Sequence, residues 1–281
     1  MQGADLFYRV LGVGEPLFIL HGGPEFDHTY LLPSMDQIAP IRRLIYYDQR
    51  GRGRSQGEVE DVTIESEILD LDELRQHFRY ERIALLGHSW GAILAMKYAA
   101  RFSSRVTHLV LVNPASCTYG DIAEARLRRI ASLDPCKAEL AAIRESQEFI
   151  AGDPSTVSRY LGVLFRRATR DPRHSAQLDF RLEQFTREGV VRAREIDERL
   201  LGETFNDPAF DMTQELQRIK APTLVIHGEA DFFSATGSSR IAESIPGSKM
   251  VAIPNCGHFS YLESPEAFRF AVEQFISSKF E

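Results

Sequence analysis

Gly87-His88-Ser89-Trp90-Gly91 is the stretch that decides the fold of this chain. The apolar residues 82–86 before it are typical of a buried strand, and residues 92–100 after it are typical of a helix. A serine between two glycines at such a junction predicts a sharp turn, because glycine leaves room for the strained backbone around the serine. The turn is expected to present the Ser89 hydroxyl at the carboxyl edge of a sheet, as a nucleophile elbow does.

Length and composition indicate a globular protein with a sizeable core. The chain has 281 residues, of which 43% are hydrophobic and 26% are charged. This size fits one large α/β domain that carries an insertion. The net charge of -7 argues against nucleic acid or an anionic membrane as the main partner.

The expected compartment is the cytoplasm. No apolar run is long enough for a transmembrane helix, and the first residues lack the basic and apolar regions of a signal peptide. The three cysteines, Cys117, Cys136 and Cys256, form no disulfide or metal-ligand pattern, and we expect them to be buried thiols. No motif implies a metal or an organic cofactor, and nothing in the sequence sets the oligomeric state.

Short apolar runs alternate with helical patterns in the first part of the chain. Continuous apolar runs favour strands covered on both faces, as in a parallel sheet with helices on each side. Strands are expected at residues 6–10, 17–20, 44–47, 83–86, 109–112, 223–227 and 250–253. Helices are expected at residues 64–77, 92–102, 238–244 and 265–280. This alternation predicts an α/β fold.

Residues 116–215 differ in character from the rest of the chain. They show no convincing strand run, and their helical spacing is broken at Pro135, Pro154, Pro172 and Pro208. The pattern predicts several helices inserted into the α/β core and packed over it as a cap. The predicted core consists of residues 1–115 and 216–281, and the predicted cap of residues 116–215.

A serine hydroxyl becomes an effective nucleophile when a base takes its proton and an acid orients that base. His258 is the best candidate for the base, because it follows the last predicted strand, at the edge where open α/β sheets place their sites. Asp231 follows the preceding strand and is the best candidate for the acid. Asn113 holds a similar place after residues 109–112, but it carries no charge. The alternative, a turn-forming aspartate and a surface histidine, requires the chain order Ser89, Asp231, His258 to be a coincidence.

The negative charge that develops on a substrate's carbonyl oxygen needs hydrogen-bond donors. One donor is expected to be the backbone N–H of Trp90, the residue after the serine. The other is expected from His21-Gly22-Gly23-Pro24, which follows the strand at residues 17–20. Gly23 is the first choice and Gly22 the alternative, because glycine lets the backbone approach a substrate closely.

Together these residues resemble the α/β-hydrolase superfamily and, within it, the proline iminopeptidase-like branch. The closer likeness rests on His21-Gly22-Gly23-Pro24, on Asp48-Gln49-Arg50-Gly51-Arg52-Gly53-Arg54-Ser55 and on the pentapeptide around Ser89. The resemblance implies an α/β-hydrolase fold, with a mostly parallel central sheet flanked by helices and an inserted helical cap. The arginines of the second motif are expected to pair with core or cap carboxylates.

Two departures from the peptidase pattern bear on the substrate. Glu25 stands where the family usually has glycine, and Phe232 directly follows Asp231, where some relatives carry a carboxylate. The resemblance implies that an iminopeptidase needs carboxylates to bind the substrate's free α-amino group. On an arginine-rich helix, carboxylates more often form solvent-exposed ion pairs with arginines one turn away. The candidate carboxylates in the cap are Glu183, Glu195, Glu198 and Glu203.

Aromatic residues beside the motifs predict an apolar pocket under the cap. The candidate substrate-binding residues are Phe26, Phe232, Phe233, Phe259 and Tyr261.

The sequence therefore predicts a serine hydrolase that cleaves a carboxylic ester or a lactone through an acyl-enzyme. An aminopeptidase of the proline iminopeptidase type uses the same machinery and is the first alternative. A non-catalytic small-molecule receptor on a hydrolase scaffold is the alternative from another class. The expected partner is a small-molecule ester, a lactone or a short peptide.

Overall fold

Seven strands form one sheet, in the order β1-β3-β2-β4-β5-β6-β7. The computed structural model describes residues 5–178, 180 and 186–277. The strands are β1 (Tyr8–Leu11), β2 (Pro16–Leu20), β3 (Arg43–Tyr47), β4 (Ile83–His88), β5 (Val106–Val112), β6 (Thr223–Gly228) and β7 (Lys249–Ile253). Strand β1 pairs with β3 in the antiparallel direction, and the other neighbouring strands pair in parallel. The predicted mostly parallel sheet is therefore confirmed.

Helices flank the sheet and fill the chain between β5 and β6. In chain order they are α1 (Ile64–His77), α2 (Trp90–Arg101), α3 (Tyr119–Leu133), α4 (Lys137–Arg144), α5 (Gln147–Ile150), α6 (Pro154–Phe165), α7 (Pro172–Ser175), α8 (Arg187–Gly202), α9 (Thr213–Leu216), α10 (Ala235–Ser244), α11 (Ser260–Glu263) and α12 (Pro265–Ser277). Helices α3 to α8 lie within the predicted cap, and α9 ends one residue beyond it. The boundaries of the cap stay a prediction. The predicted end of the last helix, residues 278–280, lies outside the described residues.

Strand β2 shows why the central strands are continuously apolar. All five of its residues are buried. Phe18 and Leu20 belong to the core on one face of the sheet, whereas Leu17 and Ile19 belong to the core on the other face. Side chains alternate across a strand, so a strand covered on both faces needs apolar residues at every position.

Salt bridges to α1 anchor the loop that follows β3. Arg50 lies 2.5 Å from Asp70, and Arg52 lies 2.6 Å from Glu67, with both carboxylates on α1. The Arg52 and Glu67 side chains are fully buried. For Arg50 and Arg52, these contacts confirm the expectation that the arginines of this motif pair with core or cap carboxylates.

Two further expectations concern the cysteines and membrane segments. The three cysteines are free and buried, as predicted. Across the described ranges, no helix combines the length and the apolar character that crossing a membrane requires.

Candidate active site

Ser89 occupies the sharp turn between β4 and α2. Its φ of 53° and ψ of -119° are unusual for a residue with a side chain. Close packing requires glycine on both sides of the turn. A Cβ at Gly91 would lie 2.3 Å from the carbonyl oxygen of Leu20, and a Cβ at Gly87 would lie 2.5 Å from the carbonyl oxygen of Gly91. The expected elbow is therefore present.

The structure brings Ser89, His258 and Asp231 together. His258 Nε2 lies 3.0 Å from Ser89 Oγ. On the other side of the ring, His258 Nδ1 lies 3.0 Å from each carboxylate oxygen of Asp231. Both the histidine and the aspartate are buried. The geometry allows the histidine to take the serine proton while the aspartate fixes the orientation of the ring.

Asn113 holds the carboxylate of Asp231 in place. Its Nδ2 donates to Asp231 Oδ2 at 2.9 Å and to the carbonyl oxygen of Gly257 at 3.0 Å. Burial alone would raise the pKa of Asp231, but the charge of His258 and the hydrogen bonds from His258 and Asn113 outweigh it and lower that pKa. The sequence placed Asn113 at the right edge of the sheet but did not predict this contact.

His88 and Tyr30 connect the two loops on either side of Ser89. The Gly22 N–H donates to the Tyr30 hydroxyl at 2.7 Å, and that hydroxyl lies 2.7 Å from His88 Nδ1. His88 Nε2 lies 3.0 Å from the carbonyl oxygen of His258, which can only accept a hydrogen bond. His88 Nε2 therefore carries the hydrogen, and Nδ1 accepts from Tyr30. Burial lowers the pKa of His88 to about 3, so the ring is neutral at physiological pH.

This arrangement favours Gly23 over Gly22 as the oxyanion donor. The Gly22 N–H is already engaged by Tyr30. Gly23 lines a cavity together with Ser89 and adopts a φ of 123°, which favours glycine. Trp90 is the first residue of α2, where an N–H has no acceptor within the helix. The roles of Gly23 and Trp90 stay predictions.

The cavity at Ser89, called here the serine cavity, has a volume of about 130 Å³. Six phenylalanines contribute to its wall: Phe26, Phe165, Phe205, Phe232, Phe233 and Phe259. Phe165 and Phe205 come from the region of the predicted cap and were not among the predicted pocket residues. Tyr261 does not line this cavity; its ring lies against that of His88, with 5.3 Å between the ring centroids. The predicted pocket thus needs correction at Tyr261.

A second cavity, called here the cap cavity, has a volume of about 340 Å³. Glu25 and Asp197 lie in its wall and are joined by a hydrogen bond between their carboxyl groups, and we call them the acid pair. A hydrogen bond between two carboxyl groups requires that they share a proton. Burial raises the pKa of both groups, and burial together with the charge and hydrogen bond of Glu25 raises that of Asp197 to about 9.

The acid pair lies close to the loop after β2. A Cβ at Gly23 would lie 3.4 Å from Glu25 Oε2. Glu25 lines the cap cavity and Phe26, the next residue, lines the serine cavity, so this loop contributes to the walls of both.

Sequence reasoning noted Glu25 as a departure from the family pattern but did not assign it a role, and it missed Asp197. Among the predicted cap carboxylates, Glu195 and Glu198 are exposed, with Glu198 at the wall of the cap cavity. Glu203 accepts a hydrogen bond from the Ile64 N–H. Glu183 lies outside the described residues. The exchange of glycine for glutamate at position 25 was the signal that pointed to this site.

One buried cluster has the composition of a metal site. The ligand atoms of Asp27, His28 and Asp48 lie within 4.8 Å of one another. However, His28 Nδ1 is hydrogen-bonded to Asp48 Oδ1 at 2.6 Å. That distance leaves no room for an ion between these two atoms, because metal–ligand bonds of about 2.0–2.2 Å would spread them further apart. The cluster is therefore a hydrogen-bonded element of the loop after β3.

The strand-to-helix elbow in a mostly parallel sheet defines the class of this protein. The chain belongs to the α/β-hydrolase fold family, whose model matches residues 15–265. A proline iminopeptidase of Saccharolobus solfataricus is 30% identical over 96% of this chain and 87% of its own length. The protein is thus an enzyme of the hydrolase class, in the proline iminopeptidase-like branch.

Two solved structures share the fold. One is the proline iminopeptidase of Mycobacterium smegmatis, with a TM-score of 0.70 and 23% identity over 97% of this chain and 94% of that chain. The other is a thermophilic esterase of Thermogutta terrifontis, with a TM-score of 0.65 and 25% identity over 97% of this chain and 93% of that chain. Peptidases and esterases therefore both occur on this architecture, and the fold alone does not decide between them.

Proposed function

We propose that this protein is a serine aminopeptidase that releases the N-terminal residue of short peptides, with Ser89, His258 and Asp231 as its catalytic triad. The observation that carries the proposal is the acid pair beside Gly23, which supplies the amine-binding carboxylates that the sequence could not locate. The likeness to a proline iminopeptidase over 96% of the chain supports the same activity. This proposal reverses the order of the two functions expected from the sequence.

The triad geometry supports an acyl-enzyme mechanism. Ser89 Oγ attacks the carbonyl carbon of the first peptide bond while His258 Nε2, 3.0 Å away, takes the serine proton. The N–H groups of Gly23 and Trp90 stabilise the oxyanion. His258 then gives the proton to the leaving amine, and the ester between the first residue and Ser89 forms. Water activated by His258 hydrolyses that ester and restores the serine.

The acid pair provides the charge that an N-terminal residue requires. An α-amino group has a pKa of about 7.7–8.0, so it is largely protonated at pH 7. The acid pair shares one proton and therefore carries a net negative charge when that proton is its only one. A substrate ammonium can replace this proton as the bridge between the carboxylates. Glu25 lies two residues from Gly23, which places the charge close to the reacting carbonyl group.

The test compares substrates with and without the free amine. We expect the enzyme to cleave prolyl and alanyl p-nitroanilides and to lose that activity when the amine is acetylated. Ser89→Ala serves as the blank and should lower kcat by about 10⁴- to 10⁶-fold. Glu25→Gln should raise KM for the free-amine anilides by about tenfold or more while p-nitrophenyl acetate hydrolysis is retained. Glu198→Gln, an exposed carboxyl at the wall of the same cavity, is the matched control.

A carboxylic ester hydrolase is the second candidate, and the aromatic wall of the serine cavity favours it. Phe232 follows Asp231 directly and lies against the His258 ring, with 4.4 Å between the ring centroids. Such a wall suits an apolar acyl or alcohol group. Cleavage of p-nitrophenyl esters with no cleavage of any free-amine anilide would overturn the aminopeptidase proposal and establish this second candidate.

A further inference from the structure

The wall of the cap cavity carries a positive group as well as the acid pair, whereas binding an ammonium group requires only negative groups. Arg194, on α8, lines its wall together with the acid pair. The guanidinium lies over the Phe149 ring, 4.0 Å from its centroid, and Nη1 donates to the Phe149 carbonyl oxygen at 2.8 Å. These two contacts fix the position of the guanidinium group.

One nitrogen of this guanidinium lacks a partner. Arg194 Nη2 is inaccessible to solvent and makes no hydrogen bond. A buried guanidinium donor without an acceptor is costly, because it has lost its water and gained nothing in return. Burial also lowers the pKa of Arg194, which shows that the surroundings disfavour its charge. An anionic ligand in the cavity that Arg194 lines would offset the cost of holding this charge away from water.

Groups of opposite charge line the same cavity, with Arg194 and Asp197 on α8 and Glu25 on the loop after β2. The charge of Glu25 acts on Arg194 and opposes the lowering of its pKa. Among the described ion pairs, none joins Arg194 to Glu25 or Asp197 within the 4.0 Å that defines such a pair. Both signs of charge are therefore present in the wall of a cavity of about 340 Å³. A ligand with one positive and one negative group would meet both.

Arg144 and Glu198 also line this cavity, and the remaining wall is apolar and aromatic. Its members are Phe149, Val157, Tyr160, Leu161, Val190 and Ala193. The volume falls within the range of about 300–1,000 Å³ that is typical of small-molecule sites. This wall suits the methylene groups of an extended side chain.

We infer that the cap cavity binds the side chain of the substrate's first residue and selects an acidic one, aspartyl or glutamyl. The inference rests on the proposed aminopeptidase function. The α-ammonium group lies at the acid pair, and the side-chain carboxylate pairs with the Arg194 guanidinium. The carbonyl group then lies at Gly23 and Ser89, next to the acid pair along the same loop. The structure thus assigns a zwitterionic first residue to this enzyme.

The first experiment compares α-L-glutamyl and L-glutaminyl p-nitroanilides, which differ in charge but hardly in size. We expect kcat/KM to favour the glutamyl substrate by about tenfold or more, as charged hydrogen bonds do. In Arg194→Gln this ratio should fall to one or below. Arg192→Gln is the matched control, because Arg192 lies on the same helix, donates to the Gly51 carbonyl oxygen and does not line the cap cavity. A ratio of one in the unchanged enzyme, or a preference that survives Arg194→Gln, overturns the inference.

The second experiment separates this inference from the proposed function. The Ser89→Ala protein is titrated by calorimetry with the α-amides of L-glutamic acid and L-glutamine, which measures binding without turnover. Tighter binding of the glutamic acid amide, lost in Arg194→Gln, supports the acidic subsite even when no anilide is cleaved. Cleavage of alanyl anilide without any glutamyl preference keeps the aminopeptidase proposal and rejects the acidic subsite. Arg194→Lys, which retains the charge, should keep part of the preference and guards against a folding defect.

Discussion

Tyr30 is a positioning residue that joins the loop after β2, which carries Gly22 and Gly23 and is called here the oxyanion loop, to the loop after β7 that carries His258, called here the histidine loop. Its hydroxyl accepts from the Gly22 N–H and donates to His88, and His88 in turn donates to the carbonyl oxygen of His258. This chain of hydrogen bonds includes neither Ser89 Oγ nor the ring nitrogens of His258, although Tyr30 and His88 line the serine cavity. It fixes the distance between the predicted oxyanion donor and the base, on which the stabilisation of the transition state depends.

Removing the Tyr30 hydroxyl should therefore affect turnover as well as stability. Tyr30→Phe leaves the Gly22 N–H and His88 Nδ1 unpaired in a buried region, which should lower the free energy of unfolding by about 1–3 kcal/mol. We expect kcat to fall by about 10- to 100-fold with little change in KM, because the loops shift relative to each other.

The control for this experiment is Tyr46→Phe. Tyr46 is also buried, and its hydroxyl donates to Asp36 at 2.8 Å, away from Ser89. This variant should lose stability and keep its kcat. Equal kcat values in Tyr30→Phe and in the unchanged enzyme would show that the hydrogen-bond chain has only a structural role.

At the residue scale, local pattern and strand order were sufficient to place Ser89, His258 and Asp231. Each follows a strand, and parallel strands bring their carboxyl ends to one edge. The roles of Asn113 and Asp197 could not be predicted from local pattern and strand order. Asn113 and Asp231 are 118 positions apart, and their hydrogen bond depends on the register of β5 and β6. Asp197 lies on an arginine-rich helix, where a carboxylate is typically solvated, and only the fold brings it to Glu25.

At the element scale, α2 lies directly against the end of β2. A Cβ at Gly91 would lie 2.3 Å from the Leu20 carbonyl oxygen and 2.6 Å from that of His21. Both contacts involve backbone atoms, which cannot move without shifting the strand. The position of Ser89 relative to the oxyanion loop therefore depends on residue 91 being a glycine, which has no side chain.

A pair of glycine variants tests this packing. Gly91→Ala should destabilise the protein by more than about 2 kcal/mol, because the new methyl group overlaps with backbone. Gly162→Ala, inside α6 with no atom within 4 Å of the new Cβ, should stabilise it by about 0.5–1 kcal/mol. Urea unfolding followed by circular dichroism measures both changes. A mild effect of Gly91→Ala would show that α2 can move away from β2 at low cost.

The accuracy of the predicted element bounds followed the strength of the local signals. Helix α1 spans Ile64–His77 as predicted, because Thr63 and Ser66 cap its first turn reciprocally. Helix α2 begins two residues earlier than predicted, at Trp90, since the elbow residues themselves enter the helix. Between β5 and β6 the prolines marked breaks, and Pro154 and Pro172 begin α6 and α7. The packing of these helices on the core depends on tertiary contacts that no local pattern encodes.

At the scale of the whole molecule, residues between β5 and β6 contact the histidine loop directly. The His258 N–H donates to the Ala168 carbonyl oxygen at 2.7 Å. Arg129 lies over the rings of Phe165 and Phe232, at 4.7 and 4.4 Å from their centroids. The predicted cap thus contacts the predicted core at His258 and at Phe232, the residue after Asp231.

The acid pair should make the stability of the whole protein depend on pH. The pKa of Asp197 is raised from 3.8 to about 9, so between these values the folded protein binds more protons than the unfolded chain. The stability associated with this group is fully present below pH 3.8 and is lost as the pH rises through about 9. Asp197→Asn removes the titration, and its Tm relative to the unchanged protein should rise between pH 5 and pH 8.

Thermal unfolding at a series of pH values measures this difference. Glu195→Gln, at an exposed carboxyl on the same helix, should leave the pH dependence of Tm unchanged. Parallel Tm curves for Asp197→Asn and the unchanged protein would contradict the shared proton. In the proposed function Asp197 binds the substrate amine, so Asp197→Asn should also bind free-amine substrates less tightly. Such an exchange of activity for stability is common at functional sites.

Glu25 follows Gly23 by only two residues, and this short separation limits how substrate specificity can change during evolution. In the proposed mechanism, one loop carries both the group that chooses the substrate and the group that lowers the barrier. A change at position 25 that shifts the backbone of this loop therefore alters the preferred substrate and the reaction rate together. A rearrangement of this loop that alters amine binding also affects catalysis, whereas Arg194, on α8, can be replaced without a change in the loop. New substrate preferences among related proteins should therefore arise first in the predicted cap, residues 116–215, whose packing the sequence did not predict.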